Sequence, residues 1–265
     1  MSYVEWGDPH NDRVLVCVHG LTRNARDFDF LAQALTDRYR VVCPDVVGRG
    51  HSDWLNVKTD YAIPLYAADM YALIAQLGIK SVDWVGTSMG GLIGIALASQ
   101  PLSPIKRMVL NDVGPVIEGQ SLARIGQYVG RAPEFATFAD AEAYVRAVSA
   151  SFGNLTDTQW KHITEHSLRQ SDKGFVMSYD PGIGDAFRLT PVEADITLWP
   201  LYDAIKCPVL VMRGKESDLL KASTVEEMTR RGPHARAVEI AGVGHAPMLM
   251  DAEQIGIVKE FLLES

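Results

Sequence analysis

The sequence predicts an α/β fold, with a mostly parallel central sheet flanked by helices and one inserted helical segment. Three observations predict it. Short β-branched runs alternate with longer helical patterns. Most of the runs are nearly continuous in apolar residues, as strands covered on both faces must be. One long stretch, residues 116–200, breaks that rhythm.

Residues 13–18, 39–43, 81–85, 106–110, 208–213 and 235–240 read as strands. Helical patterns occupy residues 25–36, 61–77, 89–99, 222–230 and 252–263. Strand–helix alternation of this kind calls for parallel strands joined by crossover helices. Residues 116–200 hold no strand of the buried type. They show helical patterns at 139–150 and 156–169, punctuated by Gly153-Asn154 and Pro181-Gly182. The stretch is far too long for a connection, and insertions of this length usually serve as lids. The expected organisation is a core of residues 1–115 and 201–265 with a helical cap of residues 116–200.

Composition excludes several classes. The net charge of −8 argues against nucleic acid, whose phosphates demand a basic footprint. No apolar run reaches the ~18 residues that span a bilayer, and no secretory leader pattern opens the chain. A cytoplasmic protein without membrane or nucleic-acid partners is expected. Its three cysteines, Cys17, Cys43 and Cys207, adjoin β-branched runs and read as small apolar strand residues. Their odd number suits a reducing compartment.

The strongest local signal is Gly86-Thr87-Ser88-Met89-Gly90. A strand runs in and a helix runs out, which puts a hydroxyl on a sharp exposed turn at a helix N-terminus. The plainer alternative is a serine that only caps the helix. A serine nucleophile needs a base. His245, in Gly242-Val243-Gly244-His245-Ala246, follows the last strand and precedes the last helix. Its loop leaves the sheet at the C-terminal edge, where α/β sites form. The base needs an acid to hold its tautomer. Asp218 follows the strand at 208–213 and Asp112 follows the strand at 106–110. Asp218 is the favoured acid, because its loop neighbours that of His245; Asp112 is the alternative. Oxyanion donors are expected from the backbone N–H groups of Leu21 and Met89.

Val18-His19-Gly20-Leu21, Asp45-Val46-Val47-Gly48-Arg49-Gly50-His51-Ser52, Gly86–Gly90, Gly214 through Asp218 and Gly244-His245 together resemble the α/β-hydrolase superfamily, in its order and spacing. The resemblance runs from residue 13 to the C-terminus. It implies the α/β-hydrolase fold, a helical cap over a substrate pocket, and no metal or organic cofactor. It departs at the start. Members carry a β-hairpin before the first strong strand, whereas only residues 3–6 precede Gly7-Asp8-Pro9 here, so an edge strand is expected to be missing.

Two other patterns weigh less. His162-Ile163-Thr164-Glu165-His166 spells an inverted zincin motif, but no third ligand or supporting shell is evident, and a polar cap-helix face is the better reading. Gly48-Arg49-Gly50-His51 falls short of a phosphate loop and reads as a tight turn near the pocket. The expected function is hydrolysis of a small carboxylic ester through an acyl-enzyme on Ser88. The alternatives are a carbon–carbon bond hydrolase or enol-lactonase acting on a carboxylate-bearing ring-cleavage product, and a hydrolase-like ligand receptor. An inward-facing cap arginine (Arg124, Arg131 or Arg188) would favour a carboxylate-bearing substrate. The cap aromatics, such as Tyr128, Tyr144, Phe152 and Trp160, are expected mostly in its own core.

Overall fold

The computed structural model describes residues 1–189 and 194–264. Seven strands form one sheet: β1 (Tyr3–Trp6), β2 (Val14–Val18), β3 (Arg40–Pro44), β4 (Val82–Thr87), β5 (Ile105–Asn111), β6 (Val209–Gly214) and β7 (Arg236–Ile240). Their spatial order is β1-β3-β2-β4-β5-β6-β7. All pairings are parallel except that of β1 with β3. Tyr3–Trp6 is thus the sheet's antiparallel edge strand.

The apolar runs are continuous because the sheet has two cores. Val14, Val16 and Val18 point into one, with Trp84, Met108, Leu110, Val209 and Val211. Leu15 and Cys17 point into the other, with Val85, Val109, Leu210 and Met212. This is the period-2 alternation of a strand, with both faces buried. Helices α2 (Ile63–Gln76) and α3 (Met89–Ala98) cover the first face. Helix α1 (Asp29–Leu35) and the C-terminal helix of residues Ala252–Leu263 cover the second. Cys17 and Cys43 are buried strand residues, as expected, and Cys207 is half-buried.

Strand order places the site. From β2 the chain crosses one way to β3, then back past β2 to β4. The loops after β2 and β4 therefore diverge, and a crevice opens between them at the C-terminal edge of the strands. Gly20-Leu21 lies in the first loop and Ser88 in the second.

The inserted stretch is helical in the main: α4 (Gly119–Tyr128), α5 (Phe138–Val148), α6 (Asp157–Ser167) and α7 (Ile183–Leu189). It also contains strands that periodicity did not reveal. Val116–Ile117 pairs with Ile196–Thr197, joining the two ends of the stretch. Glu134–Phe135, Leu168–Ser171 and Gly174–Met177 form a small antiparallel sheet. These strands have two to four residues, too short for alternation to register. A third apolar cluster joins Val145, Trp160 and Ile163 of the insertion to Met248 and Met250, just beyond His245. Among the described residues, no helix is long and apolar enough to cross a membrane.

Candidate active site

Ser88 sits at the turn from β4 into α3 with φ 51° and ψ −115°. A non-glycine residue rarely holds a positive φ, and such strain gathers at functional sites. The neighbouring glycines make the turn possible. A Cβ on Gly90 would lie 2.0 Å from the Val18 carbonyl oxygen, and one on Gly86 would lie 2.4 Å from that of Gly90. The Ser88 N–H donates to the Asn111 carbonyl at 3.0 Å, which ties the turn to the end of β5.

His245 meets Ser88 directly. Its Nε2 is 2.9 Å from Ser88 Oγ, and its Nδ1 is 2.7 Å from Asp112 Oδ2. A carboxylate can only accept, so Nδ1 carries the proton and Nε2 is free to accept from the serine hydroxyl. The order of contact, hydroxyl to imidazole to carboxylate, is that of a nucleophile, its base and an orienting acid.

The acid position corrects the expectation. Asp112, not Asp218, lies on His245. The Asp112 side chain is fully buried, and its charge is met by three donors. Oδ1 accepts from the Gly214 N–H at 2.8 Å, and Oδ2 accepts from Ser217 Oγ at 2.6 Å as well as from His245. A buried carboxylate needs such partners to be tolerated. Asp112 has φ 53° and donates its own N–H to the Met212 carbonyl at 2.7 Å, so the chain turns at the end of β5 and swings the carboxylate across to β6. Asp218 instead lies in the wall of the open cavity, 57% exposed, with Oδ2 2.9 Å from Arg124 Nη1. The cause is Arg213. Its buried side chain donates to the carbonyls of Leu220 at 2.7 Å and Lys215 at 3.1 Å, wrapping the loop around itself. That wrapping leaves Ser217 facing inward and Asp218 facing the open cavity.

The loop carrying Leu21 is set by His19, which is fully buried. His19 Nε2 accepts the Val46 N–H at 3.0 Å, so Nδ1 bears the proton and donates to the Gly20 carbonyl at 2.7 Å. Burial pulls the His19 pKa down to about 4, which keeps the ring neutral and this pattern intact at neutral pH. The Arg23 N–H also donates to Gly20 O at 3.2 Å. With its carbonyl thus engaged, the trans Gly20–Leu21 peptide turns the Leu21 N–H the opposite way. The Met89 N–H is the first of α3, one of the donors a helix leaves unpaired. Neither N–H finds an acceptor among the described residues.

Arg49, read only as part of a tight turn, is fully buried. It donates to the Leu21 carbonyl at 2.8 Å, the Val47 carbonyl at 2.8 Å and Tyr66 Oη at 2.9 Å, and Nη2 lies 3.5 Å from Met89 Sδ. One side chain thus touches both residues expected to supply oxyanion donors. Ser151 of the inserted stretch grips the loop that carries His245: its carbonyl accepts the Gly244 N–H at 2.7 Å and its Oγ donates to the His245 carbonyl at 2.5 Å. Sequence reasoning missed Arg49, Ser151 and Ser217. Each acts on a residue distant in the chain, so no local pattern announces it.

A cavity of about 260 Å³ holds Ser88, His245 and Leu21 in its wall. Tyr128, Tyr144, Phe152 and Tyr179 line it too, so these aromatics face the cavity. Trp160 and Phe135 are buried apart from it, as expected. Of the three arginines singled out, Arg124 is in the cavity wall while Arg131 and Arg188 are not. The inverted zincin pattern brings His162 and His166 within 4.8 Å of Asp29. Arg26 Nε already engages that carboxylate, at 2.9 and 2.7 Å from its two oxygens, and none of the three lines the cavity.

The α/β-hydrolase fold model matches residues 13–252, and the chain belongs to that family. It is an enzyme of the hydrolase class. More particular kinship follows from single relatives. A 3-hydroxybutyrate-oligomer hydrolase of Cupriavidus necator is 49% identical, over 98% of this chain and 92% of the relative. A crystal structure from Rickettsia typhi superposes with TM-score 0.93 at 35% identity, covering 99% of this chain and 91% of the other. An α/β hydrolase of Novosphingobium aromaticivorans superposes with TM-score 0.88 at 36% identity, covering 98% and 92%.

Proposed function

We propose that this protein is a serine esterase that hydrolyses short oligoesters of a small hydroxy acid, of the 3-hydroxybutyrate kind, with Ser88, His245 and Asp112 as its triad. The observation that carries the reading is the line of contacts from Ser88 Oγ through His245 to Asp112, at 2.9 and 2.7 Å, open to the cavity at its serine end. The substrate class rests on the 49% identical oligomer hydrolase.

The chemistry follows from the atoms. Ser88 Oγ bonds to the ester carbonyl carbon while His245 Nε2 takes its proton. The carbonyl electron pair moves onto oxygen, and the N–H groups of Leu21 and Met89 hold that oxyanion. The intermediate collapses, and His245 protonates the departing alkoxide. Water then repeats the cycle on the acyl-enzyme. Asp112 holds the His245 tautomer and balances the imidazolium charge. Residues 116–200 act as a cap over this site, and the Ser151 contacts couple the cap to the base loop.

The test is hydrolysis of p-nitrophenyl butyrate and of the linear 3-hydroxybutyrate dimer, wild type beside Ser88→Ala. Wild type should cleave both, and Ser88→Ala should lose about ten thousandfold in kcat or more, with an unchanged circular dichroism spectrum. Full activity in the alanine variant overturns the assignment.

A further inference from the structure

We infer that Arg124 is the subsite for a free carboxylate on the leaving-alcohol side of the substrate, so that the enzyme removes one hydroxy-acid unit at a time from the carboxyl end of an oligoester. The inference rests on the esterase reading above and adds a direction to it.

Among the described residues, four charged side chains line the cavity: Arg23, Asp27, Arg124 and Asp218. The first two form a closed unit. Arg23 donates to Asp27 through Nε at 2.9 Å and Nη2 at 2.5 Å, and its Nη1 donates to Ser167 Oγ at 2.8 Å. Both side chains are almost wholly buried. That pair has little left to offer a substrate.

Arg124 is different. Its Nη1 lies 2.9 Å from Asp218 Oδ2, with the two side chains 48% and 57% exposed. An exposed pair of this kind is weak, so one carboxylate can replace another at little cost. A guanidinium carries five donors in a flat fork that suits a carboxylate in bidentate fashion. Asp218 therefore reads as a resident carboxylate that an incoming one displaces. Its backbone carbonyl stays tied to α4 by Ser121 Oγ, at 3.2 Å, so the loop holds its place when the side chain swings away.

Position gives the direction. The loop that carries Asp218 runs beside the loop that carries His245: the Glu216 N–H donates to the Val243 carbonyl at 3.0 Å, and a Cβ on Gly214 would lie 2.1 Å from the Gly244 carbonyl oxygen. Arg124 thus stands on the base's side of the cavity. Arg23 stands on the oxyanion side, where a Cβ on Gly20 would lie 3.6 Å from Arg23 Cγ and 3.7 Å from Ser88 Cβ. The leaving oxygen takes its proton from His245, so the leaving group lies on the His245 side. In an oligomer of a hydroxy acid, the alcohol released from the carboxyl end carries the free carboxylate. That carboxylate falls on the side where Arg124 waits, beside the apolar faces of Ile125 and Tyr128 in the same helix.

The experiment compares two substrates: the linear 3-hydroxybutyrate dimer with a free carboxyl end, and the same dimer capped as its primary amide. The readout is the ratio of their kcat/KM values. Wild type should favour the free acid about tenfold or more. Arg124→Gln should bring the ratio close to one, with Arg124→Lys between. Asp218→Asn, which removes the competing carboxylate, should raise the ratio above that of wild type. A ratio that Arg124→Gln leaves unmoved, with both dimers cleaved, overturns the subsite and spares the esterase reading. Release from p-nitrophenyl butyrate with both dimers intact overturns the oligoester substrate, and the subsite with it. No serine-dependent release from any ester overturns the esterase reading itself.

Discussion

Two aspartates end up in loops beside each other, one after β5 and one after β6, and they meet opposite fates. Asp112 is wholly buried, accepts three hydrogen bonds and reaches His245. Asp218 is more than half exposed and holds one arginine. Both follow a parallel strand at the same edge of the sheet, and both fall between Ser88 and His245 in the chain. The difference teaches that sequence order does not select the aspartate that meets His245. What selects it is which carboxylate can be desolvated with its charge met, because an unpartnered buried charge is prohibitive. The second loop serves the first: Gly214 and Ser217 supply two of the donors that make Asp112 tolerable in the interior.

The comparison can be broken at its strong end first. Asp112→Asn should lower kcat about a thousandfold or more on a neutral ester such as p-nitrophenyl butyrate, because an amide can present an N–H to His245 and favour the wrong tautomer. A loss of that size in Asp218→Asn instead, with Asp112→Asn near wild type, would reverse the roles drawn here.

Ser217→Ala tests the bridge between the two loops. It removes the 2.6 Å bond to Asp112 Oδ2 and leaves His245 and Gly214 as the remaining donors. A drop in kcat of about tenfold is expected, with KM little changed. A rise in KM at constant kcat would make Ser217 a substrate contact. The smallest effect belongs to Asp218→Asn on the same neutral ester, where kcat/KM should shift by less than about threefold, as for a solvated pair. The contrast sharpens if that variant changes selectivity toward carboxylate-bearing dimers while Asp112→Asn lowers every substrate alike.

The inserted stretch of residues 116–200 repeats the lesson on a smaller scale. Two of its helices, α5 and α6, were legible from residues such as Trp160 and Ile163 at helical spacing, because burial of one face imposes that period. Its small sheet was not, since two- to four-residue strands carry too few positions to show a period. The facing of Arg124, with Arg131 and Arg188 outside the cavity wall, depends on how the helices of this stretch pack, and nothing near those residues encodes it.

The sequence by itself determined the sheet and the places of Ser88 and His245 at its edge. Paired cores write continuous apolar runs into the strands, and a strand-to-helix turn at Ser88 demands small residues at Gly86 and Gly90. Those constraints are local, so they leave local marks. Only the tertiary structure decided which aspartate meets His245, the place of Arg124 in the cavity wall and the hold of Ser151 on the loop that carries His245. These follow from which loops lie side by side. The positive φ of Asp112 and the loop wrapped around Arg213 turn two similar aspartates in opposite directions, one into the interior and one toward the open cavity.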